Sequence, residues 1–125
     1  MSRMIRVLCI HEETTALMLR KKILESMGFS VCCASSGLDG LLQFRVFVPD
    51  LVVLDYELRD VGGDVVAWGM RHVNPEIPIL MFTASAGLPS TATANVNACF
   101  MKHDSPKHFV AKIQELLGGA SAMAA

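Results

Sequence analysis

The sequence predicts an α/β domain in which five strands form one parallel sheet and helices cover both faces. Three observations carry that prediction. Runs such as Val7-Leu8-Cys9-Ile10 and Leu51-Val52-Val53-Leu54 are continuously apolar, the pattern of inner parallel strands rather than of half-wetted ones. They alternate with segments whose apolar residues recur at helical spacing. The crossovers between strands are short, and no internal repeat or linker interrupts the alternation.

The first strand, Val7 to Ile10, is closed by the polar triplet His11-Glu12-Glu13. Thr14 or Thr15 is placed to cap a helix whose inward side would be Ala16, Leu19, Ile23 and Met27, with Gly28 as its stop. Phe29 to Ala34 reads as the second strand. Ser35-Ser36-Gly37 is then a loop and cap, and Leu38 to Val48 a second helix ended by Pro49. Gly40, Leu41, Phe44 and Val48 would face inward. Leu38, Leu42 and Val46 would face outward, as a docking surface or as ordinary surface apolarity.

The third strand, Leu51 to Leu54, ends abruptly on Asp55. After a polar loop from Glu57 to Gly63, Asp64 to Val73 reads as a helix with Val66, Met70 and Val73 on one face and Trp68 partly packed; Asn74-Pro75 breaks it. Ile77 to Phe82 is the fourth strand, ending at Thr83. Residues 84 to 97 carry no charge and contain Pro89, so they predict at most a short helix. Ala98 to Met101 is the fifth strand, ending at Lys102. Ser105-Pro106 starts a last helix buried through Phe109, Ile113 and Leu116 and stopped by Gly118-Gly119. The expected organisation is one domain over 1–118 and a flexible tail over 119–125.

At 125 residues the chain is long enough to bury a core without metal or disulfides. With 11 basic and 12 acidic residues and no basic block, it advertises neither nucleic acid nor an anionic membrane. Cys9, Cys32, Cys33 and Cys99 lack zinc-site spacing and read as buried reduced thiols, which implies a cytoplasmic location. Only four apolar residues follow Arg3 and Arg6 before His11, too few for a signal peptide or a membrane span.

In a parallel sheet the strand-end residues His11, Glu12, Asp55, Thr83 and Lys102 share one edge, the edge where open α/β sheets bind ligands. Carboxylates, a hydroxyl and an ammonium together suit phosphoryl transfer: a carboxylate attacks phosphorus, a hard cation held by acids neutralises oxygens, and hydroxyl and lysine bind the remaining charge. The plain alternative is coincidence, because every strand ends on something polar.

On Leu54-Asp55, Phe82-Thr83-Ala84, Phe100-Met101-Lys102 and Asn74-Pro75-Glu76-Ile77-Pro78-Ile79, the chain resembles the response-regulator receiver domain of two-component signalling, in its chemotaxis-receiver-like form, from Arg6 to about Leu117. The resemblance implies a flavodoxin-like fold with strand order 2-1-3-4-5. It implies Asp55 as phosphoacceptor, Thr83 as switch hydroxyl and Lys102 as the phosphoryl-contacting lysine. It also implies Mg2+ as cofactor, with Glu12, Asp55 and Glu57 (backbone or side chain) as candidate ligands. The usual Asp-Asp pair is degenerate here: His11 puts an imidazole where a hard oxygen ligand is expected, so Mg2+ affinity should fall. His11 and His103 with Glu12 and Asp55 would suit a transition metal instead, although no spacing motif supports that.

Other departures fall on the signalling face. His103 stands where the family tends to have proline, Cys99 where it has the switch aromatic, and the segment from Thr83 to Lys102 is about one helical turn short. The function so implied is that of a stand-alone receiver, not an enzyme, phosphorylated on Asp55 by a sensor histidine kinase or phosphotransfer protein and acting on a downstream protein effector, with a homodimer as a further option. The alternative is a pseudo-receiver that binds partners without phosphorylation. An enzyme or flavin carrier on this fold is disfavoured, since the chain has no Gly-Lys-Ser/Thr loop and no Gly-x-Gly-x-x-Gly.

Overall fold

The computed structural model describes residues 3–118; the tail expected over 119–125 lies outside the described residues. The elements follow in the order β1 (Arg6–Ile10), α1 (Thr14–Ser26), β2 (Ser30–Ala34), α2 (Gly37–Phe47), β3 (Leu51–Asp55), α3 (Gly63–Val73), β4 (Ile79–Thr83), α4 (Ser90–Thr93), β5 (Ala98–Met101) and α5 (Pro106–Leu116). The five strands pair in parallel in the order β2-β1-β3-β4-β5. Both the fold class and the strand order are those expected.

The continuous apolar runs are explained by the two layers they serve. Successive strand residues point to opposite faces. Leu8, Ile10, Val52, Leu54 and Met81 therefore pack with Phe44 of α2 and with Val66 and Met70 of α3. Val7, Cys9, Val53, Leu80 and Phe82 pack with Leu17 and Leu24 of α1 and Phe109 and Ile113 of α5. With both faces dry, no position in β1, β3 or β4 after the first residue of β1 can be spared for water.

Several inward faces differ from the expectation, and each difference has a local cause. In α1 the buried residues are Leu17 and Leu24, whereas Leu19 is 60% exposed. The inward stripe runs through Leu17, Arg20 and Leu24, with a charged residue between two buried leucines. Val48 is exposed rather than inward, because the helix ends there with φ of 52° and the Val48 N–H reaching back to the Phe44 carbonyl. Pro49 disfavours right-handed helical backbone at the residue before it, and the left-handed cap still satisfies the Phe44 carbonyl. Val73 is exposed as well; the buried side of α3 is Val66, Ala67 and Met70. In α5 Phe109 and Ile113 are buried as predicted, joined by Leu117 more fully than by Leu116. Leu38, Leu42 and Val46 do face solvent.

The cysteines are only partly as expected. All four are free, but Cys32 and Cys33 are half-buried and Cys99 is exposed. Cys9 alone is fully buried, and burial pushes its thiol up to about 12.

Loops at the carboxyl edge are pinned by side chains. Asp60, in the loop after β3, accepts the Gly37 and Leu38 amides at 3.0 and 2.9 Å. It thereby satisfies two orphan donors at the start of α2, beside the Ser36 cap on the Asp39 amide. At the opposite, amino edge, Arg71 of α3 donates to the carbonyls of Pro75 and Asn95 and to the Asn97 side chain, tying α3 to the loops that lead into β4 and β5.

Candidate functional site

Among the described residues three polar side chains are buried, His11, Asp55 and Thr83. All three lie at the carboxyl edge of the sheet, on neighbouring strands. Asp55 has no exposed surface. An isolated carboxylate could not stay ionised there, so its partners decide its state.

Those partners come from three elements. Arg20, reaching from α1, places Nη1 2.7 Å from Asp55 Oδ1. His11 Nε2, at the tip of β1, lies 3.0 Å from Oδ2, and Lys102 Nζ, at the tip of β5, lies 3.1 Å from the same oxygen. The Glu13 amide donates to His11 Nδ1 at 3.0 Å. Nδ1 is therefore the accepting nitrogen, and Nε2 is the one nearer Asp55; Oδ2 has His11 and Lys102 close by but is in hydrogen-bonding geometry with neither. Burial pushes the Asp55 carboxyl up, but the nearby His11 imidazole and the charge and hydrogen bond of Arg20 outweigh it and hold the group below the usual carboxylate value.

Lys102 joins this carboxylate to a second one, with Nζ 3.2 Å from Glu57. Glu57 accepts the Thr83 hydroxyl at 2.6 Å and the Ala84 amide at 3.0 Å. Burial raises Glu57, and the bonds from Thr83, Ala84 and Lys102 lower it by more. Lys102 moves the other way: burial lowers it, but Asp55 and Glu57 raise it above its ordinary value. Two carboxylates thus face two cations, with the His11 imidazole beside Asp55.

A stability profile follows from these directions. Both acids have depressed folded values, so their contribution is present above the ordinary carboxylate range, about pH 4, and is lost as pH falls through those values. Lys102 is raised, so its contribution is present below about pH 10.4 and fades as pH rises beyond it. Urea midpoints should hold between these limits and drop on either side, with a shallower acid branch in Asp55→Asn. An acid branch unchanged by that substitution would show that other carboxylates control it.

Of the expected site residues, the structure brings Asp55, Lys102 and His11 together and sets Thr83 and Glu57 beside them. Glu12 does not join. Its carboxylate accepts the Arg59 amide at 3.1 Å and faces the Arg59 guanidinium at 3.4 Å. His103 is exposed on the loop after β5. Among the described residues no group of three or more His, Cys, Asp or Glu could hold a metal ion. The oxygen shell that Mg2+ requires is absent from this arrangement, since Asp55 and Glu57 are spent on cations and Glu12 on Arg59. Neither does the imidazole and carboxylate set form a transition-metal site.

Two residues were missed. Arg20 is not among the expected site residues, though its spacing, three after Leu17 and four before Leu24, places it on the buried stripe. Arg59 had no signal in the sequence, because its role depends on where a separate loop lies. His11, Glu12, Glu57, Arg59 and Lys102 line an open cleft of about 500 Å3 above Asp55.

The family model of the response regulator receiver domain matches residues 7–114. This chain belongs to that family. The receiver is 30% identical over 90 residues to the transcriptional regulatory protein ZraR of Salmonella typhimurium, a stretch that is 72% of this chain and 20% of that protein. It is 30% identical over 115 residues to the probable transcriptional regulator ycf27 of Pyropia yezoensis, covering 90% of this chain and 47% of that one. The receiver thus spans from a fifth to about half of the curated relatives it matches first. Among solved structures, a CheY-like receiver domain protein from Methanospirillum hungatei superposes with a TM-score of 0.89 at 27% identity, covering 97% of this chain and 99% of that one. The response regulator TrrA of Thermotoga maritima, solved in complex with Mg(2+)-BeF, gives 0.86 at 26% identity, covering 91% and 100%.

Receiver domains are signalling modules that interact with histidine kinases and effectors and typically bind Mg2+. No helix among the described residues of this receiver is long and apolar enough to cross a membrane.

Proposed function

We propose that this receiver takes a phosphoryl group onto Asp55 from a sensor histidine kinase or phosphotransfer protein and passes the change to a protein effector by contact. The observation that carries the reading is the convergence on Asp55 of Arg20, His11 and Lys102, with Lys102 also bridging to the Glu57–Thr83 pair. The Oδ2 oxygen lies with Lys102 and His11 toward the cleft and serves as nucleophile. Its bond to phosphorus forms as the phosphorus–nitrogen bond of the donor phosphohistidine breaks, and the leaving imidazole takes up a proton. Arg20 keeps Oδ1.

The consequence for signalling comes from Lys102. It bridges two carboxylates in the resting state, and a phosphoryl dianion on Asp55 draws it away from Glu57. Glu57 then loses a partner, its hold on the Thr83 hydroxyl weakens, and the β4–α4 loop that begins at Ala84 is freed to shift. A switch aromatic is not needed for this, which fits Cys99 at that position.

One observation favours a second reading, a module that binds partners without phosphorylation: Asp55 has no exposed surface, and its Oδ1 is already held by Arg20. Intact-protein mass after incubation with a cognate phosphorylated kinase and with a small phosphodonor distinguishes the two. One phosphoryl adduct in the native chain, lost in Asp55→Asn, is the expected result. No adduct from either donor would make the phosphorylation-independent module the function.

A further inference from the structure

We infer that Arg20 is a tethered cation standing in for a divalent metal at Asp55, so that the Asp55 carboxylate is charge-balanced and anion-accepting without a bound ion. Its functional consequence rests on the phosphoryl-acceptor reading above; its structural content does not.

Three observations converge on it. The guanidinium is in place before any ligand arrives: Nη1 is 2.7 Å from Oδ1 and the side chain is 11% exposed. It is also built in. Leu17 and Leu24, both buried, anchor α1 on either side, and the guanidinium carbon stacks 4.1 Å from the centroid of the Phe82 ring. That ring is held in turn by Phe109 and Phe100, at 5.2 and 5.8 Å. A cation so placed loses little freedom on engaging an anion, which is the service a metal ordinarily supplies.

The acids, in contrast, are dispersed. Glu12 is tied to Arg59 across the mouth of the cleft, and Glu57 is tied to Thr83, Ala84 and Lys102. Charge completes the case, because Asp55 and Glu57 already face Arg20 and Lys102 one for one. A divalent ion added to that set would find one oxygen without a hydrogen-bond partner, Asp55 Oδ2, already flanked by His11 and Lys102, and would meet two cations, so the Coulomb cost in a partly buried site opposes it.

The test uses the whole chain and two readouts. In the first, Mn2+ is titrated while paramagnetic broadening of backbone amides is followed. The native protein is expected to show no selective broadening at His11 to Glu13 or at Asp55 to Glu57, whereas Arg20→Gln, which frees Oδ1, is expected to show it. Selective broadening in the native protein overturns the inference, and so does its absence in a folded Arg20→Gln. Arg20→Met, which keeps the stem packed on Phe82, replaces the glutamine variant if that one does not fold.

The second readout is the adduct formed with a small phosphodonor in Mg2+ or in chelator. The native chain should react to the same extent in both. Arg20→Gln should depend on metal by about tenfold or more, a factor that corresponds to about 1.4 kcal/mol. A native adduct abolished by chelator overturns the inference. No native adduct under either condition sinks the phosphoryl-acceptor reading, while the Mn2+ result still decides the role of Arg20.

Discussion

Arg20→Ala is expected to lower the unfolding free energy by about 3 kcal/mol, the low end of what breaking a buried ion pair costs. The reasoning is local. Asp55 has no exposed surface, so the charge left behind cannot be rehydrated without moving β3 or the loops above it. His11 and Lys102 remain on Oδ2 and keep the loss from the upper end. Removing the guanidinium also ends its stacking on Phe82, worth roughly 1 kcal/mol for a shielded cation.

Lys102→Ala should cost less. Its side chain is 31% exposed and water can replace part of what it supplies. Urea unfolding of both variants at neutral pH checks the order. If Lys102→Ala proved the more damaging, Asp55 would be balanced chiefly from the solvent side and the buried arm from α1 would be incidental.

Gly63→Ala should be comparably severe, for a steric reason. A Cβ at that position would lie 2.3 Å from the Asp55 carbonyl oxygen and 2.7 Å from Tyr56 Cα. Both are backbone, and the Gly63 amide is itself hydrogen-bonded to the Tyr56 carbonyl at 2.9 Å. No side-chain rotation relieves the clash, so α3 must lift away from the end of β3, at about 3 kcal/mol or more. Because the displaced strand end carries Asp55, phosphoryl acceptance should fall with stability.

Gly40→Ala is the control. Its added Cβ would meet only side-chain atoms of Ile10, Cδ1 at 2.5 Å and Cγ1 at 3.0 Å, so a shift of that side chain rather than of backbone absorbs the contact. Thermal unfolding of the two should separate them by several degrees. Equal midpoints would mean that the β3–α3 junction yields as easily as a side chain.

The physical limits of reading the sequence show in the same residues. The apolar runs of β1, β3 and β4, the Ser36 and Ser105 caps and the Pro49 stop are local signals, and they suffice for the elements and their sequence of types. Parallel pairing then places Asp55, Thr83, Lys102 and His11 at one edge, because each immediately follows or ends a strand. Their gathering was therefore legible before any coordinates. Strand order came from the resemblance to receivers, since hydrophobic pattern alone does not rank neighbours in a sheet.

What only the tertiary structure decided is where the long charged side chains end. A charged residue on an amphipathic helix is assigned to water by default, yet Arg20 lies on the buried stripe of α1 because Asp55, thirty-five positions later in the chain, neutralises it there. Glu12 had been placed among the metal ligands, but it turns to Arg59 on another loop, and Thr83 turns to Glu57 rather than to Asp55. Local sequence determined which groups reach this edge. The pairing among them belongs to the folded molecule, because the energy of a buried charge depends on every partner within a few ångströms and those partners come from different elements.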